Sequence, residues 1–253
     1  MQSYEIFTIV TRYSQIIANF ARITVWLGVT IMIETIKTIT FDKVIPSVFV
    51  GDNDYSGDES QVWLRGLTIR RGEMYCVDAS SGRGKTSLCS FLYGLRNDYQ
   101  GKILFNDADI SRLSINEWCE LRKRHIAYLP QELDVFGELT AMENVLLKNS
   151  LTDFFAESDI RRMFEMLEID NRINTPVGRM SVGQSQRVAL IRSLCQPFDF
   201  ILLDEPVSHL DATNNRKCAD LVTAEASRRG AAVVFTSVGN PLSVDVPVKI
   251  LKL

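Results

Sequence analysis

The chain is short of the side chains that build metal and disulfide centres. It has two histidines and five cysteines (Cys76, Cys89, Cys119, Cys195 and Cys218), odd in number, scattered, and without a C-x-x-C spacing. That count excludes a disulfide scaffold and a zinc site and fits a reducing compartment; Cys76 and Cys89 sit in apolar segments and read as packing residues. An excess of one charge is also lacking. With 28 basic and 31 acidic residues the net charge is −3, so no global basic field draws nucleic acid, which is not expected as a partner. The local clusters Arg122-Lys123-Arg124 and Arg161-Arg162 read as solvated helix faces. No apolar run reaches bilayer length: the uncharged stretch from Ile23 to Ile33 is about half of what a span needs. Arg22 before it, with no small-residue cleavage site after it, also argues against a secretory signal. There is no internal repeat and no low-complexity tract. What remains, 46% hydrophobic and 23% charged over 253 residues, is a globular composition sized for one large α/β domain or two small ones.

Residues 1–31 differ from the rest. Ile6, Val10, Tyr13, Ile17 and Phe20 recur at helical spacing, the pattern of an amphipathic N-terminal extension. Three readings stand: Met32 is the true start, the extension is an added helix that packs on the protein or lies on a membrane surface, or it is a transmembrane anchor, against which its length argues. The rest, residues 32–253, reads as one domain, and from about residue 38 a mixed α/β order appears. Thr38–Phe41, Val48–Val50, Trp63–Ile69, Met74–Val77, Leu104–Phe105 and Ile126–Leu129 read as extended. Phe200–Leu203 and Ala231–Thr236 are short, mostly apolar runs, as expected of parallel strands covered on both faces. Val246–Leu253 reads as an edge strand. A helix is expected over Lys85–Leu95, and a helix-rich stretch over 137–196.

The run Ala79-Ser80-Ser81-Gly82-Arg83-Gly84-Lys85-Thr86 lies between a strand and a helix start. A tight glycine turn there aims several backbone N–H groups at one point, and the helix dipole adds positive charge. Lys85 can reach terminal phosphates, and the Thr86 hydroxyl can sit on Mg²⁺. An ordinary glycine-rich turn is the alternative. A second signal is Phe200-Ile201-Leu202-Leu203-Asp204-Glu205-Pro206, an apolar strand ending in two acids at the sheet edge where ligands bind. Asp204 suits Mg²⁺, directly or through water, and Glu205 suits the polarisation of an attacking water. A third, Met180-Ser181-Val182-Gly183-Gln184, opens a helix and is either a second anion site or a plain cap.

Over about residues 40–253 these motifs, with Leu129-Pro130-Gln131 between them and Ser208-His209-Leu210-Asp211 after them, resemble the nucleotide-binding subunit of ATP-binding cassette (ABC) transporters. The resemblance implies an α/β fold: a RecA-like P-loop NTPase core with a mostly parallel sheet, an antiparallel edge subdomain and an inserted helical subdomain at about 132–185. It implies ATP and Mg²⁺ as cofactors and a phosphate cradle running from Ala79 to Ser87. Glu205, Lys85 and Gln131 would be the catalytic residues, and Thr86, Gln131 and Asp204 the metal-facing ones. Ser181, Gly183 and Gln184 would meet the γ-phosphate held by a second subunit, and Asp211 would reach across the same interface. The partners implied are a homodimer or paired ABC ATPase and a transmembrane permease. The place implied is cytoplasmic, on the inner face of the membrane through that permease. The segment Phe136–Val145 is similar to the branch serving lipoprotein release, macrolide efflux and cell division. A non-transport ABC ATPase and a slow ATP-dependent switch are the alternatives.

Three departures bear on the site. Ala79 stands where the family has its first loop glycine, and Val182 where it has the first glycine of the signature pair. Ser237 stands where the family has a histidine against the γ-phosphate; a hydroxyl lacks the charge and reach of an imidazole, so slower turnover is expected. His209 reads as a bystander. For the aromatic that stacks on adenine, Phe49 is the first choice, Tyr55 the second and Trp63, otherwise a core residue, the third.

Overall fold

The computed structural model describes residues 34–51 and 60–253; the amphipathic segment and Tyr55 lie outside them. Its main compact unit is Thr35–Leu253. Two sheets organise it. Strands β1 (Thr38–Pro46), β2 (Gly66–Arg70), β4 (Tyr99–Phe105) and β5 (Ala108–Asp109) form an antiparallel sheet in the order β2-β1-β4-β5. Strands β3 (Met74–Asp78), β6 (Ile126–Leu129), β7 (Phe200–Leu203), β8 (Ala232–Ser237) and β9 (Val248–Lys252) form a parallel sheet in the order β6-β7-β8-β3-β9. Every residue of β7 and β8 is buried, which is why these strands read as continuous apolar runs. β9 closes one edge of the sheet, as its sequence suggests.

Three readings shift for local reasons. The expected strand at Val48–Val50 is a 3-10 turn over Ser47–Phe49, because β1 runs further than its apolar alternation indicates and ends at Pro46. The strand expected from Trp63 starts at Gly66. Upstream of it Ser60 Oγ accepts the N–H groups of Val62 (3.1 Å) and Trp63 (2.8 Å), so the hydroxyl folds this stretch into a turn. The helix expected over Lys85–Leu95 stops at Leu92, and Gly94 follows in the left-handed region (φ 70°).

Helix α1 (Lys85–Leu92) follows β3, and α2 (Ile115–Arg124) precedes β6. Between β6 and β7 come α3 (Ala141–Asn149), α4 (Glu157–Met166) and α5 (Val182–Leu194); α6 (Ala212–Arg229) joins β7 to β8. Ser114–Glu117, Thr140–Glu143 and Ser181–Gln184 form reciprocal capping boxes at α2, α3 and α5, each satisfying two orphan backbone donors. The helices after β6 share one core with the sheet: Val145, Ile160, Met163 and Phe164 belong to the cluster that holds Leu129, Ile201 and Leu203. At the N-terminal end of the strands, Asp199 accepts from the Ile36 N–H (2.9 Å), pairs with His125 Nδ1 (2.7 Å) and forms an ion pair with Arg71 (3.1 Å). That cluster ties the chain entering β1 to the floor of the parallel sheet. All five cysteines are free; Cys76, Cys89, Cys195 and Cys218 are buried, and Cys119 is exposed.

Candidate functional site

The parallel register brings four strand ends to one edge. β3 runs into Ala79, β6 into Gln131, β7 into Asp204 and Glu205, and β8 ends in Ser237. In open α/β sheets this carboxyl edge is where ligands bind.

The phosphate loop is shaped by two left-handed glycines, Gly82 (φ 80°) and Gly84 (φ 94°), the latter being the residue before α1. Among the described residues no side chain caps α1, and no acid lies in its first turn, so its N-terminal N–H groups and dipole remain available to an anion. Ser80, Ser81, Gly82, Arg83 and Thr86 are exposed, while Ala79 and Gly84 are partly buried. Lys85 is buried and lies along the loop, its Nζ donating to the carbonyls of Ala79 (2.8 Å) and Ser80 (3.0 Å). Ser87 is buried, and its Oγ accepts from Arg96 (3.0 Å). Trp63 is wholly buried and its Nε1–H donates to the Arg83 carbonyl (3.2 Å), bracing the loop from below. A Cβ at Gly84 would stand 3.2 Å from Phe49 Cε2 and 3.2 Å from Trp63 Cζ2. Phe49 is therefore an aromatic at the loop that is half-buried, whereas the Trp63 ring is enclosed.

Asp204 is 1% exposed, yet only one of its oxygens is satisfied: Oδ1 accepts from Thr236 Oγ1 (2.7 Å), and Oδ2 has no partner among the described residues. An orphaned buried carboxylate oxygen is costly unless a cation or water completes it. The same Thr236 hydroxyl accepts the Glu205 N–H (2.9 Å), so one buried oxygen orients both acids of the pair. Asp204 also bears on α1: burial first, and then its charge, push the Cys89 thiol well up. Sequence reasoning passed over Thr236. Its signal was a polar pair, Thr236-Ser237, ending an otherwise apolar strand, but its value depends on β8 lying beside β7. Ser237 is 3% exposed and its hydroxyl is unpartnered among the described residues, an acceptor or donor held at the sheet edge. Gln131 is exposed just beyond β6.

The signature segment makes its hydrogen bonds locally. The hydrogen bonds of Ser181 run to Gln184 and Ser185 of its own helix, and the Gly183 carbonyl accepts from Arg187. The Gln184 Oε1 accepts the Ser181 N–H (3.1 Å), so this side chain shapes the helix start. Val182, the first residue of α5, is 56% exposed. A Cβ at Gly183 would meet Leu210 Cδ2 at 3.1 Å and the His209 carbonyl at 3.3 Å, so glycine lets α5 sit directly on the loop before α6. Asp211 caps α6, with both carboxylate oxygens engaged by Asn214 (2.8 and 2.9 Å), and these bonds hold its carboxyl below the usual range. His209 is exposed and its Nδ1 pairs with Ser208 Oγ (3.0 Å).

The geometry has counterparts. The family model for "ABC transporter" matches residues 65–208, more than half of the chain. The lipoprotein-releasing system ATP-binding protein LolD of Buchnera aphidicola is 29% identical over 159 residues, 62% of this chain and 69% of that protein. The phosphonates import ATP-binding protein PhnC of Fusobacterium nucleatum is 33% identical over 176 residues, 65% of this chain and 71% of that protein. Among solved structures, a dimeric bacterial ABC transporter cassette superposes with a TM-score of 0.67 at 25% identity, covering 85% of this chain and 94% of that one. The chain thus belongs to the ABC transporter family, as an ATP-binding subunit that hydrolyses ATP.

Proposed function

We propose that this ATPase subunit works as one half of a head-to-tail pair, with ATP and Mg²⁺ held between the phosphate loop of one copy and Ser181 and Gly183 of the other. It drives a membrane-embedded permease from the cytoplasmic side. The observation that carries the reading is the start of α1, uncapped among the described residues and with Lys85 in its first turn, at the sheet edge shared with a buried carboxylate that keeps one oxygen without a partner among those residues. The donor set there, the Asp204 Oδ2 and the exposed Thr86 hydroxyl, is made of hard oxygens and suits Mg²⁺, which when bound would neutralise charge on the phosphates. Gln131, exposed beyond β6, would complete the set.

The chain's own residues then have separate tasks. The loop N–H groups from Ser81 to Thr86 bind the phosphates, and Lys85 exchanges its carbonyl partners for phosphate oxygens. The Phe49 face stacks on the base. Glu205 accepts a proton from the water whose oxygen attacks the γ-phosphorus, and the bond from that phosphorus to the bridging oxygen breaks in line. Ser237 donates to a γ-phosphate oxygen. From the other copy, the Ser181 hydroxyl and the Gly183 N–H close the site, while Asp211 acts by holding the loop before α6 in shape. The dimeric cassette on which this chain superposes supports the pairing, and no helix among the described residues is long and apolar enough to cross a membrane, so the reading gives contact with the bilayer to a partner. A second reading, a slow ATP-dependent switch, rests on Ser237 standing where an imidazole would serve.

Glu205→Gln tests the assignment. Removing the base should lower steady-state hydrolysis by roughly 10²–10³-fold and let an ATP-bound dimer accumulate in size-exclusion chromatography. A variant that hydrolyses at the wild-type rate and stays monomeric with ATP would overturn it. A wild type already as slow as the variant would favour the switch.

A further inference from the structure

Glu205 is the site residue whose backbone sits in the left-handed region without being glycine (φ 51°). Such a conformation persists only where neighbours hold it. Both of its peptide groups are held by buried side chains from other elements. Its N–H donates to Thr236 Oγ1 of β8, and its carbonyl accepts from Gln186 Nε2 of α5 (3.1 Å). Gln186 is 2% exposed and spends its whole amide on this region: Nε2 also donates to Ser208 Oγ (3.3 Å), and Oε1 accepts the His209 N–H (3.3 Å). A glutamine amide has two N–H donors and one carbonyl, and all are used here.

We propose that Gln186 is a positioning residue for the ATPase reaction. It fixes the Glu205 carboxylate by fixing that residue's carbonyl, and it makes the position of Glu205 depend on the helix that opens with Ser181. The inference rests on the proposed pairing, in which Ser181 meets the nucleotide of the other site while Glu205 serves its own. Gln186 lies five residues after Ser181 on a rigid, boxed helix start, so a shift of α5 on closing over one nucleotide is transmitted to the base acting on the other. The link runs through three hydrogen bonds and no substrate contact.

The test uses the full chain carrying Gln186→Leu or Gln186→Glu, each alone and combined with Glu205→Gln. Gln186→Glu keeps the shape and the acceptor for His209 but has no donor for the Glu205 carbonyl. Each single variant should lower kcat by about tenfold or more, with KM for Mg-ATP and the affinity for a fluorescent ATP analogue within about twofold of wild type, because the base is misplaced and the cradle is not. The Hill coefficient for ATP should fall toward one. Added to Glu205→Gln, neither substitution should lower the residual rate further, since Gln186 acts through Glu205. Wild-type kcat in folded Gln186→Glu would overturn the proposal, as would further loss in the double variant or a parallel loss of ATP affinity. Should Gln186→Leu fail to fold, Gln186→Glu decides alone. If Glu205→Gln itself leaves kcat intact, the proposed function has failed; if it abolishes turnover and the Gln186 variants do not, only this inference has.

Discussion

Thr236→Val keeps the volume of a buried residue and removes one oxygen. That oxygen lies 2.7 Å from Asp204 Oδ1 as donor and 2.9 Å from the Glu205 nitrogen as acceptor. Thr236 and Asp204 are each 1% exposed, so little water is at hand to replace either bond. A buried group left unsatisfied costs about 1–3 kcal/mol, more when charged, which puts the loss for the two groups at about 2–5 kcal/mol. Asp204 is the more exposed to this loss in energetic terms, because its other oxygen already has no partner among the described residues. For a domain held by about 5–15 kcal/mol this is a large fraction. Activity should fall as well, since groups that orient a metal-facing carboxylate typically contribute 10–100-fold in metal affinity. Urea unfolding gives the first quantity, and ATPase activity titrated with Mg²⁺ gives the second. Thr236→Ser is the control: it loses a methyl worth about 1 kcal/mol and keeps both bonds. Equal stability and equal Mg²⁺ dependence of the valine and serine variants would refute the bridging role.

Two further outcomes follow from other parts of the molecule. Burial, and then the Arg192 guanidinium, hold Lys148 on α3 down to about 8. Between about pH 8 and the ordinary lysine value of 10.5 the unfolded chain binds the extra proton, so stability should rise with pH across that window. Lys148→Met should remove that rise and add about 1–2 kcal/mol at pH 7, read as the difference between the two proteins' urea curves; parallel curves across the window would count against it. Gly101 sits opposite the irregularity in β1 between Asp42 and Ile45 with φ 89°, and a Cβ there would press on the Lys43 carbonyl and lie 2.6 Å from the Asp42 carbonyl. Gly101→Ala should therefore cost about 3 kcal/mol or more, seen as a fall in Tm of several degrees, and an unchanged Tm would refute the close approach.

Much of the candidate site could be proposed from the sequence because its parts are contiguous in the chain. Ala79–Thr86, Asp204-Glu205 and Ser181–Gln184 each place their chemistry within one turn, where local backbone rules translate spacing into geometry. The apolar runs at Phe200–Leu203 and Ala231–Thr236 likewise announced buried parallel strands. Readings failed where a local rule competed with another: the Ser60 hydroxyl made a turn of the start of the Trp63 strand, and Pro46 ended β1 before Val48. The residues that organise the site across distance were not legible. Thr236 matters because β8 pairs with β7, 31 residues from Glu205. Gln186 matters because α5 lies on the turn after β7. Trp63 braces the phosphate loop from 20 residues upstream of Arg83. The sequence by itself determined which groups are chemically suited to phosphate, metal and water, since those identities are local. Only the tertiary structure decided how these groups are held, because a hydrogen bond between separated segments exists only once the sheet has brought their backbones into register.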